Sequence, residues 1–152
     1  ALVASGTDLP WVWVGRDSFG APEIHAQTRQ LPGLRVLRPG YLPAEELPAL
    51  YSGATLLTFV SHDEGFGLPA LEAMACGLPV IVSDHPPYDE FVHSDIGFKV
   101  NRNSTDSISE AIYEMKILAN RSQLGAAGRK MVEKSFTWEH VASRYYKTIY
   151  SG

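Results

Sequence analysis

The chain has 152 residues, of which 45% are hydrophobic and 20% are charged, and its formal net charge is −4. This size and composition fit one ordinary globular domain. The acidic balance, without a long run of Lys or Arg, argues against a nucleic-acid partner. The single cysteine, Cys76, excludes an internal disulfide and a cysteine-rich metal site. No apolar run approaches the roughly 20 residues that a membrane-spanning helix needs.

In chain order, the first two thirds of the sequence alternate short apolar runs with helical stretches. The first run, residues 11–15, is unbroken and ends in glycine, which predicts a strand buried on both faces, as in a parallel sheet. Four more strands are predicted at residues 34–37, 54–60, 80–82 and 97–100. Helices are predicted at residues 22–30, 44–51 and 68–76, with a short helical turn at 87–92.

From Ser104 onward the alternation stops and helices follow one another. Ser104 and Asp106 are residue types that cap helices, and they begin a helix predicted to reach Ala119. Its apolar face is predicted to consist of Ile108, Ile112, Met115 and Leu118. Two further helices are predicted at residues 123–134 and 137–149. The whole pattern predicts an α/β fold, a Rossmann-like doubly wound parallel sheet with a helical C-terminal tail.

The last predicted helix carries an apolar stripe of its own. Trp138, Val141, Tyr145 and Ile149 recur at helical spacing. We expect Trp138 and Tyr145 to lie against the sheet or against a partner domain that this chain lacks. The chain opens in residues that read like the end of a helix, so we expect a piece of a longer protein.

Two carboxylates, Glu64 and Glu72, flank a turn that contains Gly65 and Gly67. The turn follows a predicted strand and precedes a predicted helix. The first N–H groups of a helix are unpaired and point outward, so this arrangement makes a site for anions. Ligands of doubly wound sheets bind beyond the carboxyl ends of the strands, which is where this turn is predicted to lie.

These residues favour a ligand with both a phosphate and hydroxyl groups, and sugar nucleotides have both. The amides of Phe66, Gly67 and Leu68 would face the phosphate, while Glu64 would accept hydrogen bonds from sugar hydroxyls. We expect Glu72 to be buried among apolar helix neighbours, where a ribose diol would satisfy it. Spacing alone leaves open that an arginine or backbone amides hold Glu72 and that the glycines only shape the turn.

Other chemistries have less support. His62 and Asp63 could suggest a metal site or a His–Asp hydrolase pair, but no other histidine lies at metal-ligand spacing from them. No Gly-x-Ser-x-Gly elbow marks a serine nucleophile, and residues 15–17 lack the glycine fingerprint of nicotinamide-binding sites. Cys76 lies at a predicted helix end among small residues, so we expect it to be a buried small hydrophobe.

Residues 61–84, SHDEGFGLPALEAMACGLPVIVSD, resemble the signature of the retaining GT-B glycosyltransferases of family 4, the glycosyl transferases group 1. The resemblance continues through residues 11–16, 40–51, 97–106 and 136–138. It implies the C-terminal half of a GT-B fold. Residues 1–152 would be a single nucleotide-sugar-binding domain, truncated at its N-terminal edge and lacking the acceptor-binding domain.

The resemblance also implies roles by position. Glu64 would be the carboxylate of the catalytic site that contacts the donor sugar, and Glu72 would bind the ribose. The sugar and diphosphate would be bound by Glu64 and the backbone of Gly65, Phe66, Gly67 and Leu68. The nucleobase would meet the loop formed by Tyr41 and Leu42. No metal or other cofactor is implied, and the family's diphosphate-neutralising Arg and Lys fall before Ala1.

The implied activity is transfer of a hexose, with retention, from a UDP- or GDP-sugar to an acceptor such as a polysaccharide or a lipid-linked glycan. The setting would be polysaccharide biosynthesis in the cytoplasm, with peripheral membrane contact through the missing N-terminal domain as an open alternative. We expect this chain alone to be inactive, because that domain would bind the acceptor. A non-catalytic module that binds nucleotide sugars or scaffolds a partner is the alternative function. The carboxylate pair argues against an epimerase, and no pyridoxal-binding lysine motif supports a phosphorylase.

Overall fold

The computed structural model describes residues 1–17 and 20–150, and this part of the chain contains five strands and six α-helices. The strands are β1 (Trp11–Val14), β2 (Val36–Gly40), β3 (Leu57–Phe59), β4 (Val80–Ser83) and β5 (Gly97–Val100). The helices are α1 (Ala21–Arg29), α2 (Leu47–Gly53), α3 (Leu68–Ala75), α4 (Thr105–Ile117), α5 (Arg121–Ser135) and α6 (Trp138–Tyr150). A 3₁₀ turn spans Tyr88–Glu90. Each predicted element is present, and residues 18–19 and 151–152 of the predicted domain lie outside the described ranges.

The largest differences in bounds lie around α2. This helix begins three residues later than predicted, with Pro48 in its first turn, where the missing N–H costs nothing. It continues to Gly53, and the Ala54 N–H then donates to the Tyr51 carbonyl at 3.2 Å. Because Ala54 still belongs to the end of the helix, β3 is limited to three of the seven residues predicted for it.

The strands form two parallel sheets, β1–β2 and β3–β4–β5. Strand β4 is paired on both sides, and all four of its residues are buried. In the described ranges β1 pairs only with β2, and Val12 is 37% exposed. The expectation that residues 11–15 are buried on both faces is therefore wrong. The helices α3, α4 and α5 pack on β3, β4 and β5, and this leaves β1 less covered.

Successive side chains of β4 enter two different hydrophobic clusters. Val80 and Val82 pack with α3 and the partly buried face of α5, whereas Ile81 packs with α4. Neighbouring residues of a strand point to opposite faces, so helices must cover both faces of this sheet. The arrangement is the doubly wound α/β architecture predicted from the sequence.

Helix α4 matches its predicted apolar face. The Ser104 hydroxyl accepts a hydrogen bond from the Ser107 N–H at 3.1 Å, so Ser104 is the N-cap. Ile112 and Met115 are buried, and Ile108 and Leu118 pack against the same cluster. A strong capping residue and an apolar face of period 3.6 therefore predicted this helix correctly.

Helix α6 has no buried residue. Trp138 is 85% exposed and Tyr145 is 68% exposed, so they do not pack against the sheet. The other expectation, that a partner domain covers them, stays a prediction. Phe136, just before α6, packs against the cluster that α3 and α5 already share, and α6 leads away from that point. None of the described helices has the length and apolar character needed to cross a membrane.

Candidate functional site

The turn at residues 61–67, called here the glycine turn, lies where β3 ends and α3 begins. Its first carbonyl, that of Ser61, accepts a hydrogen bond from the Ser83 hydroxyl at 2.7 Å. The next carbonyl, that of His62, accepts one from Nη1 of Arg102 at 2.6 Å. Ser83 ends β4 and Arg102 follows β5. The glycine turn is therefore tied to the carboxyl ends of its neighbouring strands, the predicted position for a ligand site.

The amide N–H groups of residues 62–68 have no acceptor within the described part of the chain. The first amides that bond back into α3 are those of Ala70 and Leu71, which both donate to the Gly67 carbonyl, at 3.0 and 3.3 Å. Phe66 and Leu68 are 46% and 58% exposed, whereas Gly67 between them is buried. Seven successive donors at a helix N-terminus form a favourable surface for an anion.

Gly67 is the glycine that the turn requires. Its φ is +77°, and a Cβ placed on it would lie 2.6 Å from Cε1 of Tyr88. Tyr88 is fully buried, and its hydroxyl lies 3.5 Å from the Ser61 hydroxyl. Burial raises the pKa of Tyr88, and the negative charge of Glu64 adds to the rise. The buried phenol ring of Tyr88 therefore lies directly beneath Gly67 and forms the floor of the turn.

Glu64 itself is half-buried at this floor, whereas Gly65 is exposed. The Phe66 ring meets the Phe136 ring edge to face, with centroids 5.9 Å apart. Phe136 in turn contacts Phe91 at 5.6 Å. These ring contacts anchor the middle of the glycine turn to the core.

Glu72 is exposed, so the expectation that it is buried is wrong. Its neighbours Leu71 and Met74 are buried on the other face of α3, and the helix turns Glu72 outward. The Tyr51 hydroxyl on α2 donates a hydrogen bond to Oε2 of Glu72 at 3.2 Å. Within the described ranges, the carboxylate is held by this phenol rather than by an arginine or backbone amides.

The Tyr51–Glu72 contact makes stability depend on pH in the alkaline range. Partial burial, followed by the charge and hydrogen bond of Glu72, raises the pKa of Tyr51 from 10.0 to about 12. The folded protein therefore keeps this proton after the unfolded chain has lost it. The contribution of Tyr51 to stability is complete below about pH 10 and falls as the pH rises toward about 12. Urea unfolding across this range should show a shallower decline for Tyr51→Phe.

The control for that measurement is Tyr113→Phe, which removes the hydroxyl of an exposed tyrosine on α4. It should leave the alkaline decline of the parent protein intact. Equal slopes for the parent and Tyr51→Phe would contradict the assignment.

The predicted nucleobase loop lies at the ends of the other sheet. The Gly15 N–H donates to the Gly40 carbonyl at 3.0 Å, which joins the carboxyl ends of β1 and β2. Tyr41 is 62% exposed, and the guanidinium of Arg16 lies 4.9 Å from the centre of its ring. Leu42 is half-buried. No hydrogen bond, ion pair or ring contact within residues 1–17 and 20–150 joins this loop to the glycine turn.

Sequence reasoning missed the roles of Tyr51, Tyr88 and Arg102, because their partners are 21 to 40 residues away along the chain. Nothing in the local pattern marks such contacts. Cys76, predicted to be buried, is only half-buried. Lys99 is also near the strand ends, but its ammonium is 2.6 Å from Asp89 and 3.4 Å from Asp84, already paired with carboxylates. The described residues contain no group of three or more His, Cys, Asp or Glu placed to hold a metal ion.

Comparison with known proteins identifies sequence relatives. Residues 23–131 match the family described as "Glycosyl transferases group 1". O-antigen chain mannosyltransferase B of Escherichia coli is 37% identical over 105 residues, which cover 69% of this chain and 27% of that protein. A GDP-mannose:cellobiosyl-diphosphopolyprenol α-mannosyltransferase of Xanthomonas oryzae is 33% identical over 103 residues, which cover 66% of this chain and 27% of that protein. The chain thus matches about a quarter of the length of these relatives.

Solved structures agree with this assignment. A sucrose-phosphate synthase from Thermosynechococcus elongatus has a TM-score of 0.81 and 29% identity, covering 99% of this chain and 41% of its own. Anabaena HepE in complex with UDP has a TM-score of 0.84 at 23% identity, and the match covers 95% of this chain and 41% of HepE. At this identity the similarity is one of fold. The family match covers most of the chain and includes the glycine turn, α3 and β4. The chain therefore belongs to the glycosyl transferases group 1 family of GT-B glycosyltransferases.

Proposed function

We propose that this chain is the donor-binding part of a retaining glycosyltransferase that moves a sugar from a nucleotide diphosphate to a glycan or lipid-linked acceptor. The observation that carries the proposal is the run of seven amides at residues 62–68, which have no acceptor in the described part of the chain and which lead through Glu64 to the N-terminus of α3. A diphosphate carries the negative charge that such amides attract. The sugars on either side of it carry hydroxyl groups, which can donate hydrogen bonds to carboxylates.

Each predicted residue has a role in this proposal. The backbone of Gly65, Phe66, Gly67 and Leu68 binds the diphosphate, and Glu64 accepts hydrogen bonds from the donor sugar. Glu72 receives one hydrogen bond from Tyr51, and a carboxylate has about four acceptor positions, so capacity remains for both ribose hydroxyls. Tyr41 and Leu42 contact the nucleobase. Neither a metal nor another cofactor has a role here.

The chemistry proposed for these residues is electrostatic. When the bond from the sugar to the diphosphate breaks, negative charge grows on the departing phosphate oxygens. Amides fixed at the start of α3 stabilise that charge without having to reorganise. Glu64 holds the sugar while an acceptor hydroxyl attacks from the face that the diphosphate leaves and gives its proton to the departing phosphate oxygen. Retention then needs no nucleophile from the protein. The acceptor binds through a domain beyond these 152 residues, so the isolated chain is expected to bind donor without transferring sugar.

The donor proposed is GDP-mannose. The relatives from Xanthomonas and Corynebacterium, at 33% and 36% identity, are both named for GDP-mannose. The UDP-bound neighbour from Anabaena is 23% identical, and its likeness concerns the fold. The names of the relatives also support a lipid-linked or polysaccharide acceptor, which would place the parent enzyme in the cytoplasm or at the membrane periphery.

Calorimetry with the purified chain tests this function. GDP-mannose is expected to bind more tightly than UDP-glucose. Glu72→Gln should weaken binding of both GDP and GDP-mannose by about 1.5–3 kcal/mol, because it weakens hydrogen bonds to a charged acceptor. Glu64→Gln should weaken binding of GDP-mannose and leave binding of GDP unchanged, because GDP has no donor sugar. Glu133→Gln, which removes an exposed carboxylate on α5, is the charge-matched control.

Three results would count against the proposal. Failure of the chain to bind any nucleotide diphosphate or nucleotide sugar would exclude donor binding. An equal loss of affinity for GDP and for GDP-mannose in Glu64→Gln would exclude a contact between Glu64 and the donor sugar. Binding in which Glu72→Gln matters and Glu64→Gln changes nothing would favour the alternative, a nucleotide-binding module without a sugar site.

A further inference from the structure

The glycine turn is held from one side through two of its own successive carbonyl groups, which accept hydrogen bonds. Ser83 donates to the carbonyl of Ser61, and Arg102 donates to that of His62. Nε2 of His85 also lies 3.3 Å from the Ser61 carbonyl. All three side chains come from the segment that begins at the end of β4 and continues past β5. The turn therefore receives its support from a part of the chain that lies outside the turn and outside α3.

Fixing these carbonyls also fixes the direction of the amides that follow them. In a planar trans peptide the C=O of one residue and the N–H of the next point in opposite directions. When the Ser61 and His62 carbonyls point toward Ser83 and Arg102, the N–H groups of His62 and Asp63 must point away from them. The same two bonds limit rotation of the chain that leads into Glu64.

Arg102 is itself held in place before it reaches the glycine turn. The Ser107 hydroxyl, in the first turn of α4, accepts a hydrogen bond from the Asn101 N–H at 3.2 Å. The Asn101 side chain accepts one from the Asn103 N–H at 3.0 Å. Arg102 lies between Asn101 and Asn103 in the sequence and is half-buried. Its guanidinium thus starts from a backbone already anchored to a capped helix.

We propose that Arg102 is a positioning residue for the donor site, acting through the His62 carbonyl to hold the glycine turn in the conformation that presents its amides to a diphosphate. The proposal rests on the proposed function for the identity of the ligand. Its structural part, the ordering of the turn, is independent of any ligand. Arg102 makes no contact with the phosphate in this role, and its removal acts on the amides rather than on charge.

The test compares Arg102→Ala, Arg102→Lys and a matched control. The control is Arg121→Ala, because Nη1 of Arg121 also donates to a backbone carbonyl, that of Lys116, at 2.7 Å. NMR order parameters of residues 62–67 are measured without ligand, GDP binding is measured by calorimetry, and the unfolding temperature is recorded. In Arg102→Ala the order parameters of the turn should fall from about 0.85 toward about 0.6.

GDP affinity should fall about tenfold in Arg102→Ala, because binding must then order the loosened turn, and ordering a flexible segment costs about 1 kcal/mol or more. Arg102→Lys should recover part of the loss, because an ammonium can still donate to the His62 carbonyl. Arg121→Ala should leave both the turn and the affinity unchanged. The unfolding temperature of Arg102→Ala should stay close to that of the parent protein.

Different failures have different meanings. If the parent protein does not bind GDP, the proposed function fails, and the order parameters still test the positioning role. Unchanged order parameters in Arg102→Ala together with unchanged affinity would overturn the proposal. Weaker binding with an unchanged turn would also overturn it, because Arg102 would then contact the ligand directly. Loss of order throughout the protein with a lower unfolding temperature would show a structural role only.

Discussion

Gly67→Ala is expected to lower the free energy of unfolding by about 2–5 kcal/mol and to weaken binding of nucleotide diphosphates. At φ +77° an alanine costs roughly 1–2 kcal/mol in backbone strain. The new methyl would also lie 2.6 Å from the Tyr88 ring, and forcing such a group into a packed site typically costs about 1–3 kcal/mol. Tyr88 is fully buried and contacts the rings of His85 and Phe91, so it has little room to move away.

Gly77→Ala separates the two causes. Gly77 has φ +76°, almost the same as Gly67, but a Cβ there would meet nothing within 4 Å. Its replacement should therefore cost only the backbone strain of roughly 1–2 kcal/mol. Urea unfolding of both variants gives the steric contribution of Tyr88 as a difference, and GDP titration reports on the turn. Equal losses of stability would show that the Tyr88 ring yields without cost.

Gly125→Ala should destabilise the protein by about 3 kcal/mol, although alanine is the better helix former by about 1 kcal/mol. Helix α5 approaches the end of α3 so closely that a Cβ on Gly125 would lie 1.9 Å from the Gly77 carbonyl oxygen. A backbone oxygen cannot rotate away as a side chain can. The variant must instead separate α5 from the segment after α3, and this opens the cluster that the two helices share.

Gly128→Ala is the matched control on the same helix. Its Cβ would lie 3.3 Å from side-chain atoms of Ile96 and Met74, which can adjust by a few tenths of an ångström. The gain in helix propensity should then roughly offset the crowding, so stability should stay within about 1 kcal/mol of the parent value. Chemical denaturation of both variants is the measurement. The prediction would be falsified if Gly125→Ala proved as stable as Gly128→Ala.

The architecture could be predicted from the sequence because its signals are local. The apolar run at residues 80–82 predicts a strand, and β4 is present there, with Val80, Ile81 and Val82 alternating between two clusters. The same kind of run at residues 11–15 predicted the strand β1 correctly but not its burial, because a local signal does not determine what covers a strand. Ser104 and the apolar residues that follow it at helical spacing predicted α4. The position of the glycine turn followed from the order of strand, glycines and helix. Each of these features depends on neighbours in the sequence.

The errors concern burial and contacts that depend on distant parts of the chain. Burial of Glu72 was expected from its apolar sequence neighbours, but a helix turns adjacent residues to different faces, and α2 brings Tyr51 to the carboxylate. Packing of the α6 stripe on the sheet was one of two expectations, and it failed because periodicity shows that a helix has an apolar face without showing what covers it. The contact of Arg102 with His62 spans 40 residues and has no local signal.

The location of the hydrophobic clusters has a consequence for how the molecule opens. Both clusters are built from residues at position 51 and beyond, together with Leu2, and β1, α1 and β2 contribute no side chain to either. Segments with few buried apolar contacts open at a lower free energy than the rest of a domain. Backbone amides of β1 and β2 should therefore exchange with solvent well before those of β4. The glycine turn and Tyr41 thus belong to regions of unequal local stability, and a nucleotide that bridges them would stabilise the weaker region most.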